Sequence, residues 1–200
     1  MTKKIYSVLI FSALVTTSNA VVIFDDTVNG NASSDGSAPT SLDFSLGSNQ
    51  VLGTVTSPSN TRNFYTFSIG EGQILQAITL DAINVTTAAG AASNDPGFYA
   101  LVLGGTAETP GTGFANLGGQ LYDPSDLGDN LLDQIADGGN SGGTGFTEIG
   151  EGDYTFVIQQ TGDEVSSFTL DFEVASVPEP SSSSILLLGS ALLLGKRRRK

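Results

Sequence analysis

Residues 168–174 alternate without a fault: Phe168, Leu170, Phe172 and Val174 fall on one parity, Thr169, Asp171 and Glu173 on the other. Successive side chains of an extended chain point to opposite faces, so the pattern describes a strand with one face buried and one in water. A helix would split the four apolar side chains between opposite sides. The same period recurs at Tyr65, Phe67 and Ile69, with Thr66 and Ser68 between them, and at Tyr154, Phe156 and Ile158. Turns rich in Gly, Asp and Glu punctuate these runs at Gly70-Glu71-Gly72, Gly150-Glu151-Gly152-Asp153 and Gly162-Asp163-Glu164. Further strands are expected at 51–55, at 73–85 with Ile74, Ile78 and Leu80 on one face, and at the apolar run 98–103. Short strands with one apolar face each make a core by stacking two sheets. The expected fold is all-β: an antiparallel β-sandwich, jelly-roll-like, over residues 42–176, preceded by a turn-rich segment at 21–41.

One stretch departs from this period. Leu127, Leu131 and Ile135 recur every four residues, with Leu132 alongside, between Asp126 and Asp137. The spacing suits either a short helix near 126–136 crossing an open end of the sandwich or a loop pinned down by its leucines.

Charge is sorted along the chain. Residues 21–177 hold twenty acidic side chains and one basic one, Arg62, for a formal charge of −19. Such a surface repels phosphate, so no nucleic-acid partner is expected, and it favours solubility. Cys and His are absent. Disulfides, thiolate nucleophiles, Cys-ligated zinc and the usual near-neutral general base go with them. A Ser nucleophile finds no Lys between 21 and 177, and a glycosidase cleft would want aromatic platforms where Trp is missing. No catalytic residue is assigned, and the chain is expected not to be an enzyme.

The two ends have different chemistry. Lys3 and Lys4, an apolar run from Ile5 to Val15, and small residues up to Ala20 follow one another as in a secretory signal peptide over 1–20. Signal peptidase cleavage after Ala20 would leave a chain beginning Val21-Val22-Ile23-Phe24. At the other end, Val177-Pro178-Glu179-Pro180 is stiff, residues 181–195 carry no charge, and Lys196 to Lys200 form an unbroken basic block. The membrane segment is expected at 185–195 as a transmembrane helix, with the basic tail 196–200 on the cytoplasmic side.

This order of elements resembles the PEP-CTERM sorting signal of Gram-negative bacteria. The resemblance implies a substrate of an exosortase-like membrane enzyme, transient inner-membrane anchoring, and delivery to the cell envelope or an extracellular, exopolysaccharide-rich matrix such as a biofilm. Pro178, Glu179 and Pro180 would be the sorting motif. The Ser-rich stretch 181–184 departs from the pattern by delaying the apolar run. The central domain is similar, more loosely, to the bacterial pre-peptidase C-terminal domain, a β-sandwich module. That likeness rests on Asn63 to Gln73 and on Gly152-Asp153-Tyr154-Thr155-Phe156-Val157.

Two groups of residues are candidate ligand sites. Asp123, Asp126, Asp129 and Asp133 lie in an acidic loop with Gly128, and carboxylates on a tight loop suit calcium. Their spacing is not that of an EF-hand, and the favoured reading is that they are solvated acids forming the wet face of the segment. Tyr99 and Tyr122 are the candidate stacking side chains for a glycan, because alternation turns Tyr65 and Tyr154 toward the core. Three functions stay open: a surface or extracellular-matrix structural and adhesion protein, an exopolysaccharide-binding module, or a weak secreted hydrolase. No cofactor other than calcium is indicated.

Overall fold

The computed structural model describes residues 20–107, 116–137, 146 and 148–177. Among the described residues nine strands make two stacked sheets. In chain order they are β1 (Val21–Asp25), β2 (Thr40–Ser41), β3 (Gly47–Thr56), β4 (Arg62–Ile69), β5 (Gln73–Thr86), β6 (Gly97–Leu103), β7 (Asn116–Tyr122), β8 (Gly152–Gln160) and β9 (Val165–Ser176). One sheet has the order β1-β3-β9-β5, the other β2-β4-β8-β6-β7.

The alternating segments lie in the middle of these sheets. Phe168, Leu170, Phe172 and Val174 are buried, and β9 pairs along its length with both β3 and β5. Tyr65, Phe67 and Ile69 of β4 meet Tyr154, Phe156 and Ile158 of the neighbouring β8 in the same core. Phe172 sits among three rings, with centroids 5.1 Å from Phe44, 5.7 Å from Phe67 and 5.8 Å from Phe156. Edge-to-face and tilted pairs at these separations are favourable arrangements of aromatic quadrupoles.

The sandwich is not wholly antiparallel. β1 pairs with β3, and β2 with β4, in parallel. Both of these strands come from residues read as a turn-rich leader. The turns are present, as a one-turn helix α1 (Asp26–Asn29) capped by the Asp25 carboxylate and a bend at 34–37. What local chemistry could not show is that the chain on either side of them reaches an open sheet edge. The arrangement is a β-sandwich, and nothing in its strand order is specific to a jelly roll.

Strand β5 carries a second correction. Its pairing with β9 slips between Leu75 and Ala77 and again between Leu80 and Ala82. Each bulge reverses the parity. Leu75, Ile78, Leu80 and Val85 therefore face the core, and Ile74, expected beside Ile78, is only half-buried.

The helical segment is displaced from its expected start. A 3-10 turn covers Pro124–Asp126, Gly128 takes a left-handed φ of +88°, and helix α2 runs from Leu131 to Asp137. Leu131, Leu132, Ile135 and Ala136 are buried, whereas Leu127 is 54% exposed because it lies before the Gly128 break. The helix closes onto β7 and β5: a Cβ on Gly118 would collide with the carbonyl of Ile135.

The transmembrane helix expected from the tail is not found. Among the described residues no helix is long and apolar enough to cross a membrane. The longest, α2, has seven residues, against the roughly 20 that a crossing needs. The stretch on which the expectation fell, 185–195, lies outside the described residues, as do residues 1–19 and the sorting motif at 178–180.

Candidate functional site

Three surfaces could carry chemistry. The first is the acidic connection between β7 and α2. Asp123 caps the 3-10 turn: its Oδ1 accepts from the Ser125 amide and hydroxyl, both at 2.6 Å, while Asp126 Oδ2 accepts from the Asp123 amide at 2.8 Å. The Ser125 hydroxyl and amide hold the Asp123 carboxyl below its ordinary range. Gln134 of α2 then reaches back, its amide donating to Asp126 at 3.3 Å and Asp129 at 3.1 Å. Gln134 also accepts the Tyr99 hydroxyl proton at 2.5 Å. Asp123, Asp126 and Asp129 are thus engaged in shaping the loop, and Asp133 faces solvent on α2. Among the described residues no three acidic side chains converge as a metal shell would require.

The second surface is a groove of about 470 Å³ on the outer face of the four-stranded sheet. Its floor is made by outward side chains of three strands, Leu52 and Thr54 of β3, Ser167 and Thr169 of β9, with Asn84 of β5 and the α1 cap at its rim. The floor is flat because Leu52, Thr169 and Ala82 lie in one register row and Thr54, Ser167 and Asn84 in the next. Thr54 Oγ1 and Ser167 Oγ are 3.4 Å apart.

The third lies on the outer face of the five-stranded sheet. Part of that face is covered: Phe64, Val102, Ala107 and Val157 form a small second core. The covering chain comes close enough that a Cβ on Gly36 would collide with the Ala107 carbonyl. Beside it, one row stays open. Leu121 pairs with Phe98, Phe98 with Gln159, and Gln159 with Arg62. Leu121 is 41% exposed, and Phe98, Gln159 and Arg62 are half-buried.

The candidate stacking tyrosines are not at any of these surfaces. Tyr99 and Tyr122 are buried at 0% and 1% exposure, with ring centroids 6.1 Å apart. Burial pushes the Tyr122 hydroxyl up to about 12, against a partial offset from nearby Ser166, and raises that of Tyr99. Neither ring is available to a sugar, contrary to the expectation from sequence. The error is one of parity, because Tyr99 looks inward and its neighbour Phe98 looks out. Alternation across 98–103 could have revealed this, but the run is apolar on both parities and hides its outward face. Arg62 and Gln159 carried no signal beyond rarity of charge.

Ala20 is exposed immediately ahead of β1, whose first residue, Val21, is the one that cleavage would make terminal. At the other end β9 stops at Ser176, and the Val177 amide donates to the Gly72 carbonyl at 2.8 Å. A protein-family model described as the PEP-CTERM protein-sorting motif matches residues 176–200. The chain therefore carries this sorting motif directly behind its last strand. No curated protein matched the chain.

Proposed function

We propose that this chain is an exported structural or adhesion protein of the cell surface or extracellular matrix, sorted and processed through its C-terminal tail by an exosortase-like enzyme. The observation that carries the reading is the PEP-CTERM motif at 176–200, which supports sorting and export of a surface protein. The fold gives the tail a suitable mount. β9 lies between β3 and β5, so the strand that leads into the motif is paired on both sides up to Val174 and with β5 as far as Ser176. Severing the tail beyond Pro180 would remove no strand of either sheet.

The body acts by presenting surface rather than by catalysis. Its formal charge of −19 keeps the domain apart from phosphate and anionic lipid once it has been released. During sorting the tail keeps the protein at the inner membrane of a Gram-negative cell, and signal peptidase frees the amino end at Val21. Mass spectrometry of the protein recovered from a host that expresses it tests this directly. A mature species beginning at Val21 and ending near Pro180 is expected. A released species that retains Arg199-Lys200 would overturn the processing, and a cytoplasmic species with residues 1–20 intact would overturn the export.

A further inference from the structure

We propose that the open row on the five-stranded sheet is a binding shelf for a sugar chain bearing sparse carboxylates, with Phe98 as its platform and Gln159 and Arg62 as its polar contacts. The proposal deepens the surface reading and rests on it, since such a chain is met outside the cell.

The row crosses four strands. Its pairing, Leu121 to Phe98 to Gln159 to Arg62, sets the side chains side by side on one face. Adjacent strands lie about 4.8 Å apart, so the row is about 14 Å long, the length of two to three sugar rings. Phe98 has a seat that flattens it: a Cβ on Gly119 of β7 would come within 2.7 Å of the ring's Cζ. Glycine there lets the ring lie against the sheet and turn its other face outward. An apolar face of this kind accepts the C–H face of a pyranose, and the amide beside it matches the ring's hydroxyls.

The two polar side chains are uncommitted. Among the described residues neither Gln159 nor Arg62 forms a side-chain hydrogen bond or ion pair. For Arg62 this is notable in a body with twenty carboxylates and no other base. A guanidinium presents a planar fork of donors that fits a carboxylate on two oxygens, and no carboxylate of the described residues occupies it.

Other partners fit less well. The row is one side chain wide, far below the roughly 800 Å² that each partner buries in a stable protein interface. A nucleic acid, with one charge per about 1.7 Å of duplex, would meet the −19 body along its whole length. The two to three sugar rings that the row spans carry about one carboxylate when the charges are sparse, and Arg62 answers that one.

Titration calorimetry of the full-length protein in mild detergent, against a glucuronate-containing oligosaccharide and its carboxyl-reduced counterpart, tests the shelf. Saturable millimolar or tighter binding of the acidic sugar is expected, weaker by about tenfold for the reduced one. Arg62→Gln should erase the difference between the two sugars. Phe98→Leu, which keeps an apolar side chain but loses the ring, should weaken both, and a thermal melt of each variant shows whether the fold is intact. Equal binding of the two sugars, binding unaffected by both variants, or no binding by the folded wild type would overturn the proposal. Binding that behaves as expected in a protein shown not to be exported would leave the shelf standing and overturn the surface reading alone.

Discussion

Asn63 donates from Nδ2 to the hydroxyl of Tyr65, two residues along the same strand, at 3.2 Å, with both side chains wholly buried. The same amide nitrogen also donates to the Thr54 carbonyl at 3.2 Å, and Oδ1 accepts from Asn60 at 3.0 Å. An inward-facing Asn breaks the apolar parity of β4, and this network is the reason it is tolerated: each of its polar atoms has a partner where water does not reach. Asn63→Ala takes one donor from the Thr54 carbonyl, which keeps its 3.3 Å bond from Asn60, and removes partners from the Tyr65 hydroxyl and the Asn60 amide, so a loss of about 1–3 kcal/mol is expected by urea unfolding. Tyr65→Phe removes one hydroxyl and leaves the rest of the network, so about 1 kcal/mol is expected.

Phe172 is the ring on which Phe44, Phe67 and Phe156 converge. It belongs to β9, the strand paired on both edges, so its surroundings cannot collapse inward to fill a void. Phe172→Ala should cost about 3–5 kcal/mol, and Phe172→Leu less, since it keeps more of the buried volume. Thermal and urea midpoints of the two variants give the order.

Gly97 is required by contact. A Cβ there would overlap the Tyr122 ring, and Tyr122 is itself packed between β6 and the core. Gly97→Ala must displace a fully buried ring and is expected to destabilise the domain by about 1–3 kcal/mol. Near-ultraviolet circular dichroism should show the altered tyrosine environment even where the far-ultraviolet spectrum is unchanged.

The tyrosines make the fold sensitive to alkali. Burial raises the hydroxyls of Tyr65, Tyr99 and Tyr154, and that of Tyr122 to about 12, from an ordinary value of 10.0. A group whose proton is held more tightly in the folded state contributes stability that is complete below its unfolded pKa. The contribution is lost as the pH rises from there through the folded value. Stability should therefore be flat up to about pH 10 and fall by as much as about 1.4 kcal/mol per unit for each fully buried tyrosine above it. Tyrosinate absorbance followed with circular dichroism checks this: the buried tyrosines should ionise together with unfolding. Smooth titration of all tyrosines near pH 10 in a protein that remains folded would contradict it.

Helix α2 closes one end of the sandwich with Leu131, Leu132, Ile135 and Ala136. Ile135 is fully buried in the main core. Ile135→Ala should cost about 2–5 kcal/mol. Limited proteolysis between 123 and 137 should speed up before the sheets unfold.

Much of this architecture was legible because a strand records its environment in its own period. Across 168–174 of β9 and the second half of β4 every other residue is apolar, and those residues are the buried ones. The Gly turns at 70–72 and 162–164 mark where the chain reverses. Where the period fails, so does the reading. β6 is apolar on both parities because its outer face is partly roofed by the second core, so Tyr99 and Phe98 could not be told apart. The bulges of β5 move side chains between faces without a residue type that announces them. At 123–137 the acids look like ligands in one dimension, and in three they are acceptors for Ser125, Gln134 and the loop's own amides.

The amino-acid sequence by itself determined the two-sheet character of the domain, its overwhelming negative charge and the sorting motif behind it. These are properties of composition, alternation and short contiguous motifs, which need no partner from elsewhere in the chain. Tertiary structure alone decided that Val21–Asp25 and Thr40–Ser41 are parallel edge strands, that Tyr99 and Tyr122 are interior, and that Leu121, Phe98, Gln159 and Arg62 share one row. Those facts depend on which distant segments pair and in what register, and a shift of one residue there exchanges inside for outside.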